Sequence, residues 1–256
     1  MHQTLQELCA QGQQHLLATD YLAAERTLAK AEARAYADDD FDTLARLYMP
    51  LQEARRQRRQ RCGEGVVMLD LVSGGPDEVI YPEAVLEKYP HGQLLVAGFG
   101  SIEPARAVRG LALQGGQFVE SFLAASYRVG EHLVVALVPH DAVTLPEPGE
   151  YGIDALQAAL PPHSIIFNRG DLPAAPRQGD TATFALTMNL WERLHGPFLA
   201  MGDGATDLRR KVEGYRLAIS VDYACEFAHQ RLSTAAQQLA RETSGRAAEG
   251  ATGGAT

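Results

Sequence analysis

"LWERLHGPF" (Leu190 to Phe198) sets Glu192 and His195 three positions apart, and "CEFAH" (Cys225 to His229) repeats the spacing with Glu226 and His229, 34 residues further on. Residues three apart on a helix share a face. The recurrence has two possible meanings: two helices offering carboxylates and imidazoles to one metal, or two turns of a recurring helical packing unit. The choice decides how the ends of the chain are built.

Working outward from that stretch, both ends read as helix. From Thr4 to Arg61 the only breakers are Gly12 and Pro50, and apolar residues recur at helical spacing in three stripes: Leu5, Leu8, Cys9 and Leu16; Leu22, Leu28 and Ala31; Leu44, Leu47, Tyr48 and Leu51. Asp20 and the "ADDDFD" segment supply caps for the second and third helices, because short acidic side chains accept from the free amides of a first turn. Helical texture returns from Thr183 to Ala200 and from Ala205 to Arg241, the latter as one helix or as two meeting near Asp222.

The middle differs. "VVMLDLVS" (66–73), "QLLVAGF" (93–99), "HLVVALVP" (132–139) and "SIIFN" (164–168) are short apolar runs bounded by Gly, Pro or polar residues, as buried strands are, and "QFVESFLAASY" (117–127) reads as part of a hairpin. "YPEAVLEKY", "SIEPARAVRGLAL" and "YGIDALQAAL" read as helices between them. Alternating strands and helices predict a mixed α/β fold with a partly parallel sheet. The expected division is a helical segment at 1–62, an α/β module at 63–180, a second helical segment at 181–242 and a disordered tail at 243–256, with loops at 139–148 and 172–176.

The helical ends resemble tetratricopeptide (TPR) repeats. In "LCAQGQQHLLATDYLAAERTLAKA", Gly12 takes the small position of the first helix and Ala24 that of the second, while Leu8, Gln11 and His15 depart from the pattern. Near the other end Trp191, Leu194 and Phe198 follow the aromatic and Leu spacing, and Tyr215, Ala218 and Asp222 the end of the second helix; His195 and Lys211 stand where small residues belong. The resemblance implies stacked helical hairpins with a concave partner-binding face at both ends. In this register Trp191 corresponds to His229, so the two motifs occupy different places in their units. The alternative is a di-iron carboxylate bundle drawing on Glu192, His195, Glu226 and His229. Repeat packing is preferred, and neither metal nor cofactor is expected.

"EARRQRRQR" (53–61) holds Arg55, Arg56, Arg58, Arg59 and Arg61 in seven positions, readable as an anion patch or as a solvated helix end whose cations complement the helix dipole. Among strand-end residues, Ser73, Ser101, His140, Asp141, Asn168, Arg169 and Asp171 are where an α/β module would bind a ligand. A Ser101, His140, Asp171 relay is the enzymatic alternative, hydrolase-like, although no G-x-S-x-G elbow supports it. "VAGFGSIEPARAV" has a strand, a Gly-rich turn and a helix, yet Glu103 stands where a dinucleotide fingerprint needs its third Gly. No cysteine lies between Cys62 and Cys225, which removes a caspase-like nucleophile from the module.

A net charge of -9 speaks against a nucleic-acid partner, and 46% hydrophobic composition provides for a substantial core. The first 20 residues lack the form of an export signal and no apolar run approaches a membrane span, so the expected compartment is the cytoplasm. The expected function is a non-catalytic interaction or scaffold role. A protein or peptide partner would contact TPR-like helices, with Glu192, Glu226, Arg55, Arg56, Arg58 and Arg59 as candidate binding residues.

Overall fold

A computed structural model describes residues 3–140, 144–173, 177–178 and 181–252, with backbone alone at 177–178 and 246–252. The fold is mixed α/β, a sheet module with helical elements before and after it in the chain. The residues group into two compact units, a helical one comprising Met1–Gln57 with His195–Thr256 and a sheet one comprising Arg58–Leu194. Two helices are divided between them: α3 (Phe41–Glu64) near its last two turns and α7 (Thr181–Gly204) within its second half. The first half of α7 thus belongs with the sheet, not with the helical segment expected from residue 181. Among the described residues, no helix is long and apolar enough to cross a membrane.

The helical unit contains α1 (Leu5–Leu17), α2 (Tyr21–Ala37), most of α3, the end of α7, α8 (Leu208–Val221) and α9 (Glu226–Thr252). Thr4 and Glu7 form a reciprocal capping box at the start of α1. The Asp20 carboxylate accepts from Ala23 N–H, and Asp40 accepts from Thr43 N–H at 3.0 Å ahead of α3. Gly12 lets α1 lie close on α2: a Cβ there would meet Leu28 Cδ2 at 2.5 Å. Gly214 does the same for α8 against α7, where a Cβ would sit 2.7 Å from Gly202 backbone atoms. Asp222 ends α8, so the last helical stretch is two helices. Helix α9 runs to Thr252, past the residue at which an ordered chain was expected to end.

The two ends of the chain meet inside this unit. Helices α3 and α9 run antiparallel, since Gln52 bonds Glu226 while Ala45 O accepts from Ser233 Oγ.

In the sheet unit the strand order is β6-β4-β3-β2-β1-β7, with β5 (Glu150–Tyr151) beside the end of β3. Strands β1 (Val66–Met68), β2 (Gly92–Phe99) and β3 (Val119–Val129) are parallel, and β4 (His132–Leu137) folds back as a hairpin on β3. Strand β6 (Ile165–Asn168) is antiparallel to β4, and β7 (Arg177–Gln178) closes the other edge antiparallel to β1. The strands β5 and β7 were not expected; each is two residues long, too short to carry a periodicity.

Alternation sorts the sheet residues onto two faces. One face presents Leu94, Val96, Leu123, Ala125 and Tyr127 to Leu86 of α4 (Pro82–Lys88), Val108 of α5 (Glu103–Gly115) and Leu156 of α6 (Ile153–Ala159). On the other face the register puts Gln93 beside Glu120 and Leu95 beside Phe122. Phe122 stacks on Trp191 of α7 with ring centroids 4.4 Å apart.

Candidate binding groove of the helical unit

A polar layer crosses the helical unit where α2, α3, α8 and α9 come together. On α3, Tyr48, Gln52 and Arg55 fall at i, i+4 and i+7, one stripe of the helix. The stripe lies beside buried Leu51, which brings these polar groups into the interior. Helix α2 contributes Glu25 and Glu32, α8 contributes Arg216, and α9 contributes Glu226 and His229.

Hydrogen bonds pair the polar groups of the layer in three sets. Glu32 Oε1 accepts from Tyr48 Oη and from Arg216 Nε, both at 2.9 Å. The guanidinium of Arg216 lies 3.5 Å from the centre of the Tyr36 ring. Arg55 Nε is 3.5 Å from Glu25 Oε1, an ion-pair contact and not a hydrogen bond. Gln52 Nε2 donates to Glu226 at 3.3 Å, while Gln52 Oε1 is buried with no hydrogen-bond partner among the described residues.

His229 is fully buried. Its Nδ1 donates to Cys225 O at 2.8 Å, which leaves Nε2 to accept from Arg55 Nη1 at 3.1 Å. Burial, and then the adjacent Arg55 charge, push its pKa down to about 3. The imidazole is therefore neutral at physiological pH.

This layer floors a cavity of about 450 Å³ lined by Glu32, Tyr36, Arg55, Glu213, Arg216 and Leu217. A second cavity of about 460 Å³ adjoins it along α8, lined in part by Met201, Arg210, Gly214 and again Glu213 and Leu217. The shared residues make the two cavities one groove. Leu217 is 41% exposed and Met201 55%, so the groove presents apolar anchors between charged walls.

Of the binding residues read from sequence, Arg55 lies in this groove. Glu226 is exposed and holds Gln52, and Arg56 pairs with Glu53 on the surface at 2.8 Å. Glu192 is exposed in the sheet unit. Arg58 and Arg59 are neither an exposed anion patch nor a solvated helix end. Both are buried in the sheet unit, Arg58 3.3 Å from Glu120 and Arg59 over the Trp191 ring at 4.4 Å. Arg109 joins them, its Nε 2.8 Å from Glu120 Oε1. Burial alone would raise the Glu120 pKa, but the charges of Arg109, Arg58 and Arg59 outweigh it and hold the carboxyl below its ordinary range.

The enzymatic and metal constellations are not assembled. Strand β4 runs opposite to β3, with Leu137 facing Ala124 and Val138 N bonding Leu123 O, so His140 leaves the sheet at the end where β3 begins. Ser101 follows β2 at the opposite end, where Phe99 faces Ser126, and its Oγ accepts from Glu103 N–H at the start of α5. Asp171, in a short 3-10 turn after β6, is exposed and three strands away from β2 in the sheet order. Asp141 lies outside the described residues. Ser73 is buried and donates to Gly75 O.

His195 and His229 likewise take separate partners. His195 Nδ1 bonds Asp222 at 2.9 Å, whereas His229 faces the Arg55 cation, which would repel a metal ion. Among the described residues no group of three or more His, Cys, Asp or Glu side chains is placed to hold a metal. Burial opposes charging of His195, but its hydrogen bonds to Asp222 and Cys225 prevail and push its pKa up to about 9.

What sequence missed in the groove is Glu32, Tyr36, Glu213, Arg216 and Leu217. The available signal was polar residues embedded in apolar helical stripes, such as Glu32 four positions after Leu28. No family model, curated protein or solved structure matches this chain.

Proposed function

We propose that this chain is a cytoplasmic, non-catalytic interaction protein whose TPR-like helical hairpins receive a segment of a protein partner in the groove along α8. The observation that carries the reading is the continuity of two cavities through Glu213 and Leu217, with exposed Met201 and Leu217 inside a charged rim. An apolar side chain of a peptide gains by burial on Leu217 and Met201, while the charged walls fix its direction. The buried groups beneath, Glu32 bonded to Tyr48 and Arg216, and Arg55 bonded to His229, whose ring meets Tyr48 edge to face, keep the floor rigid, so little ordering cost falls on binding. The Gly12 approach to Leu28 supports the hairpin resemblance at the N-terminal end.

The test is selection of binders from a random peptide library, followed by titration of the enriched peptides against variants. Leu217→Asp and Met201→Asp, both on exposed positions, should each weaken binding at least tenfold. Arg56→Ala, on a surface ion pair away from the cavity lining, should leave it unchanged. Peptides insensitive to both groove substitutions would refute the reading.

A further inference from the structure

The sheet unit carries a cavity of its own, independent of the groove. Strands β1, β2 and β3 are parallel and β6 runs with them, so their C-terminal ends share one end of the sheet with the β3–β4 turn. In open parallel sheets this is the end at which connections diverge and ligands bind. Here the chain leaves β6 on one edge and pairs as β7 on the other. A cavity of about 670 Å³ lies at this end, lined by Asp70, Glu131, His132, Asn168, Arg169 and Leu172, a size suited to a small molecule.

The chemistry of the lining narrows the ligand. Asp70 follows β1 between fully buried Leu69 and core-packed Leu71, and its Oδ1 is shielded from solvent with no hydrogen-bond partner among the described residues. Asp70 is half-buried in the lining, and for a carboxylate drawn partly out of water a cationic N–H delivered from the cavity is the strongest donor. The lining holds two carboxylates, Asp70 and Glu131, against one guanidinium, Arg169, so at neutral pH the cavity favours a cation. Leu133 and Leu172 provide apolar wall.

We infer that the cavity framed by Asp70, His132, Asn168 and Arg169 at the C-terminal end of the sheet binds a small primary amine with an apolar body. The ammonium donates to Asp70, and the hydrocarbon lies along Leu133 and Leu172. Asn168 and Arg169 are among the strand-end residues marked in the sequence, whereas Asp70 was not.

A matched set of probes tests this: n-butylamine, n-butanol and butyrate, titrated into the full-length protein and followed by backbone amide chemical shifts. The amine should bind in the millimolar range, at least tenfold tighter than either analogue, with shifts centred on Asp70 and on Asn168 to Leu172. Asp70→Asn should weaken it tenfold or more, with the Trp191 fluorescence unfolding transition preserved as the check on folding. Arg169→Ala, an exposed change, should strengthen amine binding severalfold by removing a like charge, and it tests the proposal even if Asp70→Asn does not fold. Tighter binding of butyrate, absence of any shift at these residues, amine binding indifferent to Asp70→Asn, or weaker amine binding in Arg169→Ala would each overturn the assignment. None of these outcomes bears on the α8 groove, whose residues are different.

Discussion

Both units bury an ionisable group within their packing, and they keep it in opposite states. In the sheet unit Glu120 is 1% exposed and stays charged because Arg58 and Arg109 lie within 3.3 Å and Arg59 adds its field. In the helical unit His229 is 0% exposed and stays neutral because Arg55, a charged neighbour at hydrogen-bond distance, has the sign that an imidazolium would have. Burial penalises the charged form in both places; the sign of the neighbour decides whether the penalty is overcome. Arginines of one helical run thus do two different jobs in two interiors, Arg55 in the helical unit and Arg58 and Arg59 in the sheet unit.

The largest expected effect comes from breaking the charged interior. Glu120→Gln keeps the shape and removes the anion, leaving guanidiniums buried without that counter-charge, a change that costs about 3 to 5 kcal/mol. The single tryptophan, Trp191, stacks on Phe122 in the same unit, so its fluorescence reports this loss. An unchanged midpoint of denaturant unfolding by Trp191 fluorescence would show that Glu120 does not carry the charge balance assigned to it.

Acid sharpens the contrast because the two groups respond in different windows. His229 has its folded pKa depressed to about 3 against an ordinary 6.5, so below pH 6.5 the unfolded chain takes up a proton that the folded chain refuses. Its contribution is complete above pH 6.5 and declines as pH falls, with about 2 to 3 kcal/mol lost by pH 4.5. Glu120, held below its ordinary 4.5, contributes fully above that value and loses its contribution only below it. Helicity followed by far-UV circular dichroism should therefore weaken at milder acidity than the Trp191 signal. His229→Gln should flatten the limb between pH 6.5 and 4.5; a limb that persists in the variant would place its origin elsewhere.

How much of this was legible depends on whether the cause was local. The runs at 93–99 and 132–139 announced strands because a buried strand needs a short apolar run between breakers, and β2 and β4 lie in them. The caps at Asp20 and within "ADDDFD", where the structure uses Asp40, were legible for the same reason, their partners being three residues away. Strand β7, two polar residues on an edge, has no local signature. The fate of the arginine run was not legible either. Arg58 is buried by a carboxylate 62 positions later, and Arg55 meets an imidazole 174 positions later. The one trace was Glu120 inside the apolar run "QFVESFLAASY", a charge that a buried strand does not carry without a partner. In the groove, Leu217 and Met201 read as ordinary helix residues because exposure is settled by tertiary packing, not by spacing.

His195 offers the smallest effect and the sharpest check on the rule, since it lies in the helical unit yet has an acidic neighbour. Asp222, 2% exposed, caps the end of α8 and holds His195 Nδ1 at 2.9 Å. If neighbour sign and not fold type decides the state, this histidine must behave as Glu120 does and remain charged, with its pKa pushed up to about 9. A raised base stabilises fully below its unfolded value near 6.5 and loses that contribution as pH rises through 9. The imidazole keeps some contact with solvent, so the loss is set at about 1 to 2 kcal/mol after screening. Stability measured from pH 6.5 to pH 10 should show this decline in the native protein and lack it in Asp222→Asn, where the histidine has no carboxylate to hold its proton. An alkaline limb equal in both proteins would mean that the buried state of a histidine here follows from its helix and not from the charge beside it.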